Sequence, residues 1–99
     1  MDNIKASIKH IRRGIALKLV AETDSSVQLA KIFLRQNGYN LEENEIMRIY
    51  KYLEGKGLIE LCGLDNNSLD ISRVIAKITP KGTDVLERTE KISGIELEH

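Results

Sequence analysis

Apolar residues near the start of the chain recur with the period of an α-helix. They follow one another at steps of three or four residues, which places them on one helix face: Ile4, Ile8, Ile11, Ile15 and Leu19. After residue 15 the pattern becomes apolar nearly all round the helix. We therefore expect an amphipathic first helix whose first half is partly exposed and whose second half is buried.

Two further helical patterns follow, each with a start and a stop signal. The polar segment 23–26 can cap a helix that begins near Val27 and ends at Asn37-Gly38. A third helix carries Glu42, Glu43 and Glu45 in its first turn, where carboxylates favour the positive end of the helix dipole, and ends at Gly55 and Gly57. Its apolar face is formed by Ile46, Ile49, Tyr50 and Leu53.

The second half of the chain predicts a β-hairpin and a last helix. Residues 58–62 and 71–78 are rich in strand-forming side chains, and residues 63–68 between them are mostly turn formers. Thr79 is placed as an N-cap and Pro80 as the first residue of a fourth helix. The apolar stripe of that helix is formed by Val85, Leu86 and Ile92. The predicted fold class is mainly α, of the α+β type.

Composition agrees with one modest domain. The 99 residues are 41% apolar and 30% charged, enough for a single core, and we assign residues 1–96 to one domain. Residues 97–99, Leu-Glu-His, are interpreted as the remnant of an expression tag. Apolar runs are short and basic residues interrupt the start of the chain, so we expect no membrane segment, no signal peptide and a cytoplasmic location.

Candidate catalytic chemistry is sparse. A lone Cys62 excludes an intramolecular disulfide, and with only two histidines the usual metal-binding spacings are missing. His10 has no acidic residue three or four positions after it, and the chain has no Gly-rich phosphate loop. Cys62 ends an apolar run, which predicts a buried thiol rather than a nucleophile. We therefore expect no enzymatic activity, no cofactor and no metal site.

Two junctions in the second half resemble those of a known fold. In residues 52–59, Tyr-Leu-Glu-Gly-Lys-Gly-Leu-Ile, a helix breaks on glycine into a strand, and in residues 76–82, Ala-Lys-Ile-Thr-Pro-Lys-Gly, a strand runs into a capped helix. Both resemble junctions of winged-helix regulators such as the MarR, PadR and ArsR-type families. The resemblance implies a winged helix-turn-helix, with three helices, a β-hairpin wing and a C-terminal helix. The chain is most similar to small winged-helix proteins of Mu-like prophages, which share its length, an early Arg-rich helix and a C-terminus like Gly94-Ile95.

The resemblance also implies where DNA would bind. In a winged helix that reads DNA, the third helix enters the major groove, where amide and guanidinium groups pair with base edges. The outward face of this helix is predicted to carry Glu43, Asn44, Met47, Arg48 and Lys51, of which the last four are the candidate DNA contacts. The expected auxiliary phosphate contacts are Arg12, Arg13 and Arg73. We therefore predict a protein that binds double-stranded DNA, either a bacterial or prophage transcriptional regulator or an accessory protein.

The distribution of charge opposes this function. Residues 41–70 hold seven acidic and three basic residues, whereas residues 1–40 hold seven basic and three acidic ones. An acidic third helix repels phosphate groups, which supply most of the non-specific affinity for DNA. The basic residues of the first helix are either phosphate contacts themselves or ordinary solvated charges on a helix face.

The alternative is a winged-helix module that binds protein within a phage or regulatory complex, without touching DNA. The two-sided charge distribution suits such docking, and three of the four aromatic residues, Tyr39, Tyr50 and Tyr52, lie near the third helix. Tyr50 is expected in the core because it lies on the apolar stripe, whereas Tyr52 suits core and interface equally. Relatives of this fold are expected to form homodimers through the first and last helices, and the apolar half of the first helix suits a dimer surface or an ordinary core.

Overall fold

The computed structural model describes residues 2–63, 71–87 and 94–97. These residues form four helices and three short strands, which confirms the predicted mainly helical α+β class. A single 3-10 turn, Ile71–Arg73, precedes the last strand. The elements in chain order are α1 (Asp2–Glu22), β1 (Ser25–Ser26), α2 (Val27–Gln36), α3 (Glu43–Gly55), β2 (Ile59–Cys62), β3 (Ile75–Ile78) and α4 (Pro80–Leu86).

The three strands form one antiparallel sheet in the order β1-β3-β2. The hairpin strands pair from Ile59 opposite Ile78 to Cys62 opposite Ile75, as the sequence predicts for a hairpin. On the other edge of β3, Ser25 pairs with Ala76. The sheet therefore joins the hairpin to the connection between α1 and α2, a strand that the sequence did not predict.

Side-chain caps begin α2, α3 and α4, and those of α2 and α4 lie where the sequence predicted them. The Ser26 hydroxyl oxygen accepts a hydrogen bond from Leu29 N at 3.0 Å, so Ser26 both caps α2 and ends β1. Glu42 and Glu45 form a reciprocal capping box at the start of α3, in which Glu42 N donates to the Glu45 carboxylate at 3.2 Å. Thr79 caps α4, as expected, by accepting from Gly82 N at 3.1 Å.

The two junctions that resemble winged-helix proteins are bonded directly to each other. The Thr79 hydroxyl donates to Gly57 O at 2.6 Å, and Thr79 N donates to Leu58 O at 3.1 Å. Gly57 has a φ of +77°, a left-handed conformation that lets the chain turn from α3 into β2 within three residues. The start of α4 is therefore fixed against the end of α3.

The core lies between α1, the α2–α3 pair and the inner face of the sheet. The second half of α1 contributes to it, as predicted, through five residues that are at most 5% exposed: Ile15, Ala16, Leu17, Leu19 and Val20. These side chains are buried within a single chain. They therefore form the ordinary core rather than a free surface for a second copy.

Tyr50 lies in the middle of this core, as predicted, and is 0% exposed. Its hydroxyl donates toward Ser25 O at 3.2 Å and Ser26 O at 3.1 Å, which ties α3 to β1. Ser25 is itself fully buried. Burial raises the pKa of the Tyr50 phenol far above its ordinary value near 10, because the charged form would lose its hydration.

Two expectations about the hairpin were wrong. The segment predicted as one strand over 71–78 begins with the 3-10 turn, so β3 starts only at Ile75. Cys62 is exposed rather than buried. Burial alternates along β2, and Cys62 lies on the same exposed face as Glu60, because alternate residues of a strand share a face. Most of the predicted turn (64–68) and Ile92 lie outside the described residues.

Candidate nucleic-acid interface

The outward face of α3 carries the polar residues that the sequence singled out. Asn44, Arg48 and Lys51 are exposed and follow one another at helical spacing, opposite the buried apolar stripe. Met47 lies between them along the chain but is half-buried and packs against the core. The exposed face therefore carries one amide and two cations, with Met47 at its boundary and the exposed carboxylate of Glu43 at its N-terminal end.

A cleft between α1 and α3 brings three of the predicted site residues together. It has a volume of about 200 Å³, and its floor includes Leu41 and Ile49. Its charged lining consists of four basic side chains and one carboxylate: Lys9, Arg12, Arg13, Arg48 and Glu45. We call this feature the α1–α3 cleft. Arg48 belongs both to this cleft and to the exposed face of α3, so the cleft connects that face with the basic residues of α1.

The two arginines of α1 in this cleft are partly buried rather than fully solvated. The Arg12 guanidinium lies over the ring of Tyr39, with its carbon 5.4 Å from the ring centroid. Arg13 stacks on Tyr52 at 3.5 Å and donates through Nη1 to Gly94 O at 3.1 Å. Tyrosine rings attract cations through their negative faces, so both arginines are held in place by contacts within the chain.

Arg12 is the less satisfied of the two arginines. Its Nε is buried, and among the residues that the structure describes it finds no hydrogen-bond partner. A buried donor without an acceptor is uncommon and costs free energy. Glu45 supplies the one carboxylate that lines the same cleft. It accepts a hydrogen bond from Glu42 N in the capping box at the start of α3.

Residues 94–97 run along α1 and contact its polar residues, including Arg13. Glu96 N donates to His10 O at 3.0 Å, and the Lys18 ammonium donates to Leu97 O at 2.6 Å. At Gly94 a side chain would collide with the Tyr52 hydroxyl, since a Cβ would lie 2.0 Å from that oxygen. Leu97, excluded from the domain at the sequence level, packs against the core.

Arg73 is placed apart from these residues. It is exposed and ends the 3-10 turn before β3, so it belongs to the hairpin and does not line the α1–α3 cleft. The hydroxyl-bearing rings of Tyr39 and Tyr52, which support the arginines, were not assigned this role from the sequence. No local pattern could reveal it, since Arg13 and Tyr52 lie on different helices.

Within residues 2–63, 71–87 and 94–97, no three His, Cys, Asp or Glu side chains are grouped so as to hold a metal ion. In the same ranges, every helix is too short or too polar to cross a lipid bilayer.

No protein-family model matches the chain, and no curated protein is significantly similar to it.

Proposed function

We propose that the chain is a winged-helix protein that binds double-stranded DNA through α3. The observation that carries this proposal is the topology. Along the chain, α2 and α3 lie between β1 and the β2–β3 hairpin, and α4 follows the hairpin. In space, the strands form one sheet in the order β1-β3-β2. This order agrees with the winged helix that the sequence resembles, in which α3 is the helix that enters the major groove.

The exposed side chains of α3 have suitable chemistry for this contact. An amide such as that of Asn44 can pair with adenine N6 and N7, and a guanidinium such as that of Arg48 with guanine O6 and N7. Lys51, on the same face, suits a phosphate oxygen. The glutamates at the start of α3 limit its attraction for DNA, but the basic α1–α3 cleft lies beside them and supplies opposite charge.

Fluorescence anisotropy of labelled duplex fragments, at about 50 and about 200 mM salt, tests this proposal. Binding should weaken steeply between the two salt concentrations, because released counterions drive phosphate binding. Arg48→Ala should weaken specific binding by about 1–3 kcal/mol. Lys51→Ala should reduce the salt slope, which is the slope of the logarithm of the binding constant against the logarithm of the salt concentration, by about one. Lys81→Ala, an exposed lysine on α4, is the matched control and should change neither.

Unchanged affinity and salt slope in both α3 variants would remove α3 as the reader. Absence of binding at the lower salt would favour the second candidate, a module that binds protein. Leu29 and Ile32 favour that candidate, since they are 38% and 42% exposed on one face of α2. A pull-down with wild type and Leu29→Ser would then be the decisive comparison.

A further inference from the structure

We infer that the α1–α3 cleft is a binding site for a phosphate group. Four basic side chains and a single carboxylate line it, so its interior favours an anion. Its volume, about 200 Å³, lies below the range of roughly 300–1,000 Å³ that is usual for drug-sized ligands. The occupant that fits is therefore small and anionic, as a phosphate group is.

The arginines of the cleft are arranged for such a ligand before it arrives. Arg13 is fixed by its stacking on Tyr52 and its hydrogen bond to Gly94 O, and Arg12 is held over Tyr39. A fixed guanidinium loses little conformational freedom on binding, and its planar fork matches two oxygens of a phosphate. Arg48 approaches the same cleft from α3, so cations from both helices face one volume.

The guanidinium of Arg12 adds to the attraction of the cleft for an oxyanion. Its buried Nε has no acceptor among the described residues, while its guanidinium lines the cleft. Because Nε is buried from solvent, a phosphate in the cleft would accept from the Nη groups of Arg12, and it would reach Nε only if the side chain moved. The Glu45 carboxylate, which accepts a hydrogen bond from Glu42 N, balances at most one of the four cations that line the cleft.

This inference goes beyond DNA reading by α3, because the cleft can take a phosphate group whether or not α3 contacts bases. The phosphate could belong to a phosphodiester of the DNA backbone or to a free phosphorylated compound. Both sources present the same oxyanion to the cleft. They differ in whether a duplex reaches the arginines.

Nuclear magnetic resonance with inorganic phosphate as the probe tests the inference. Sodium phosphate is titrated into the full chain against sodium chloride of equal ionic strength, and the Nε–Hε signals of the arginines are followed. We expect saturable shifts of the Arg12 and Arg13 signals with phosphate and none with chloride. Arg12→Gln should weaken the binding about tenfold or more, because it removes a charge-assisted contact.

Arg48→Gln serves as a second variant, since Arg48 is exposed and its replacement leaves the core intact. It should also weaken phosphate binding, whereas Lys81→Gln, on α4 and outside the cleft, should not. Shifts that are equal in phosphate and chloride would overturn the inference. So would shifts that are unchanged in both Arg12→Gln and Arg48→Gln.

A short duplex distinguishes the two sources once phosphate binding is established. If the duplex shifts the Arg12 and Arg13 signals and inorganic phosphate competes with it, the cleft takes a backbone phosphate. If phosphate binds but the duplex leaves these signals in place, the cleft takes a free phosphorylated compound. The second result supports the cleft while separating it from the DNA-binding proposal.

Discussion

Two tyrosines on α3, only two residues apart, serve different purposes. Tyr50 is fully buried and its hydroxyl reaches the carbonyls of Ser25 and Ser26, so it fastens α3 to the edge strand β1. Tyr52 is half-buried, and its ring carries the guanidinium of Arg13 beside the α1–α3 cleft. One ring fills the core, whereas the other holds a charge at the surface.

The difference shows how a small chain combines stability with a charged site. The Tyr50 contacts are apolar apart from one hydroxyl with two acceptors, and burial makes such a group strongly stabilising. The Tyr52 contact is a cation–π interaction at a partly exposed position, where the free energy is modest. We therefore expect substitutions of Tyr50 to change the free energy of unfolding strongly and substitutions around the cleft to change it little.

The largest effect is expected for Tyr50→Ala. Removing a fully buried aromatic side chain leaves a cavity and should lower the free energy of unfolding by about 3–5 kcal/mol. Tyr52→Ala is the matched control and should cost about 1 kcal/mol, since its ring is half exposed. Urea denaturation followed by circular dichroism measures both, and equal losses in the two variants would contradict the comparison.

Alkaline pH should expose the second effect. Because the pKa of Tyr50 is raised in the folded protein, its contribution is complete below about pH 10, where the unfolded phenol is also protonated. Above that pH the unfolded chain loses the proton while the folded chain keeps it. Because of this one group, the free energy of unfolding should then fall by about 1.4 kcal/mol per pH unit.

Tyr50→Phe isolates this pH effect, since Tyr39 and Tyr52 titrate in both proteins. The variant should be less stable than wild type by about 1–3 kcal/mol at neutral pH, because two buried carbonyls lose their donor. The gap should narrow as the pH rises above about 10. Parallel stability curves for the two proteins between pH 9 and 11, measured by urea denaturation, would contradict the raised pKa.

The smallest effect is expected at the cleft itself. Arg13→Gln removes the contact with Tyr52 and the bond to Gly94 O, and should lower the free energy of unfolding by about 1 kcal/mol. Lys51→Gln should stay within about 0.5 kcal/mol of wild type, because it is an exposed surface change. A loss for Arg13→Gln as large as that for Tyr50→Ala would mean that the cleft is part of the core.

The sequence predicted those elements whose signals are local. The four helices follow from apolar periodicity and from caps such as Ser26 and Thr79, which bond to residues within three positions. Strand β1 could not be found this way. Ser25 and Ser26 form a strand only because β3 supplies the partners, and a two-residue polar segment has no strand pattern of its own.

The candidate site divides in the same manner. Helical spacing correctly placed Asn44, Arg48 and Lys51 on the exposed side of α3, because their phase is opposite to that of the apolar stripe. It could not show that Arg12 and Arg48 line one cleft, nor that tyrosines support the arginines, since these contacts join separate helices. For Cys62 a local signal did exist: Glu60, two residues earlier, marks the exposed face of β2.

The exposed thiol of Cys62 provides a site for specific chemical labelling. It is the one cysteine in the sequence, so a maleimide fluorophore would attach at a single known position without any substitution. That position is the last residue of β2, opposite the first residue of β3. A dye there would report on the turn end of the hairpin, and its distance to a labelled duplex would show how close the hairpin comes to nucleic acid if the chain binds it.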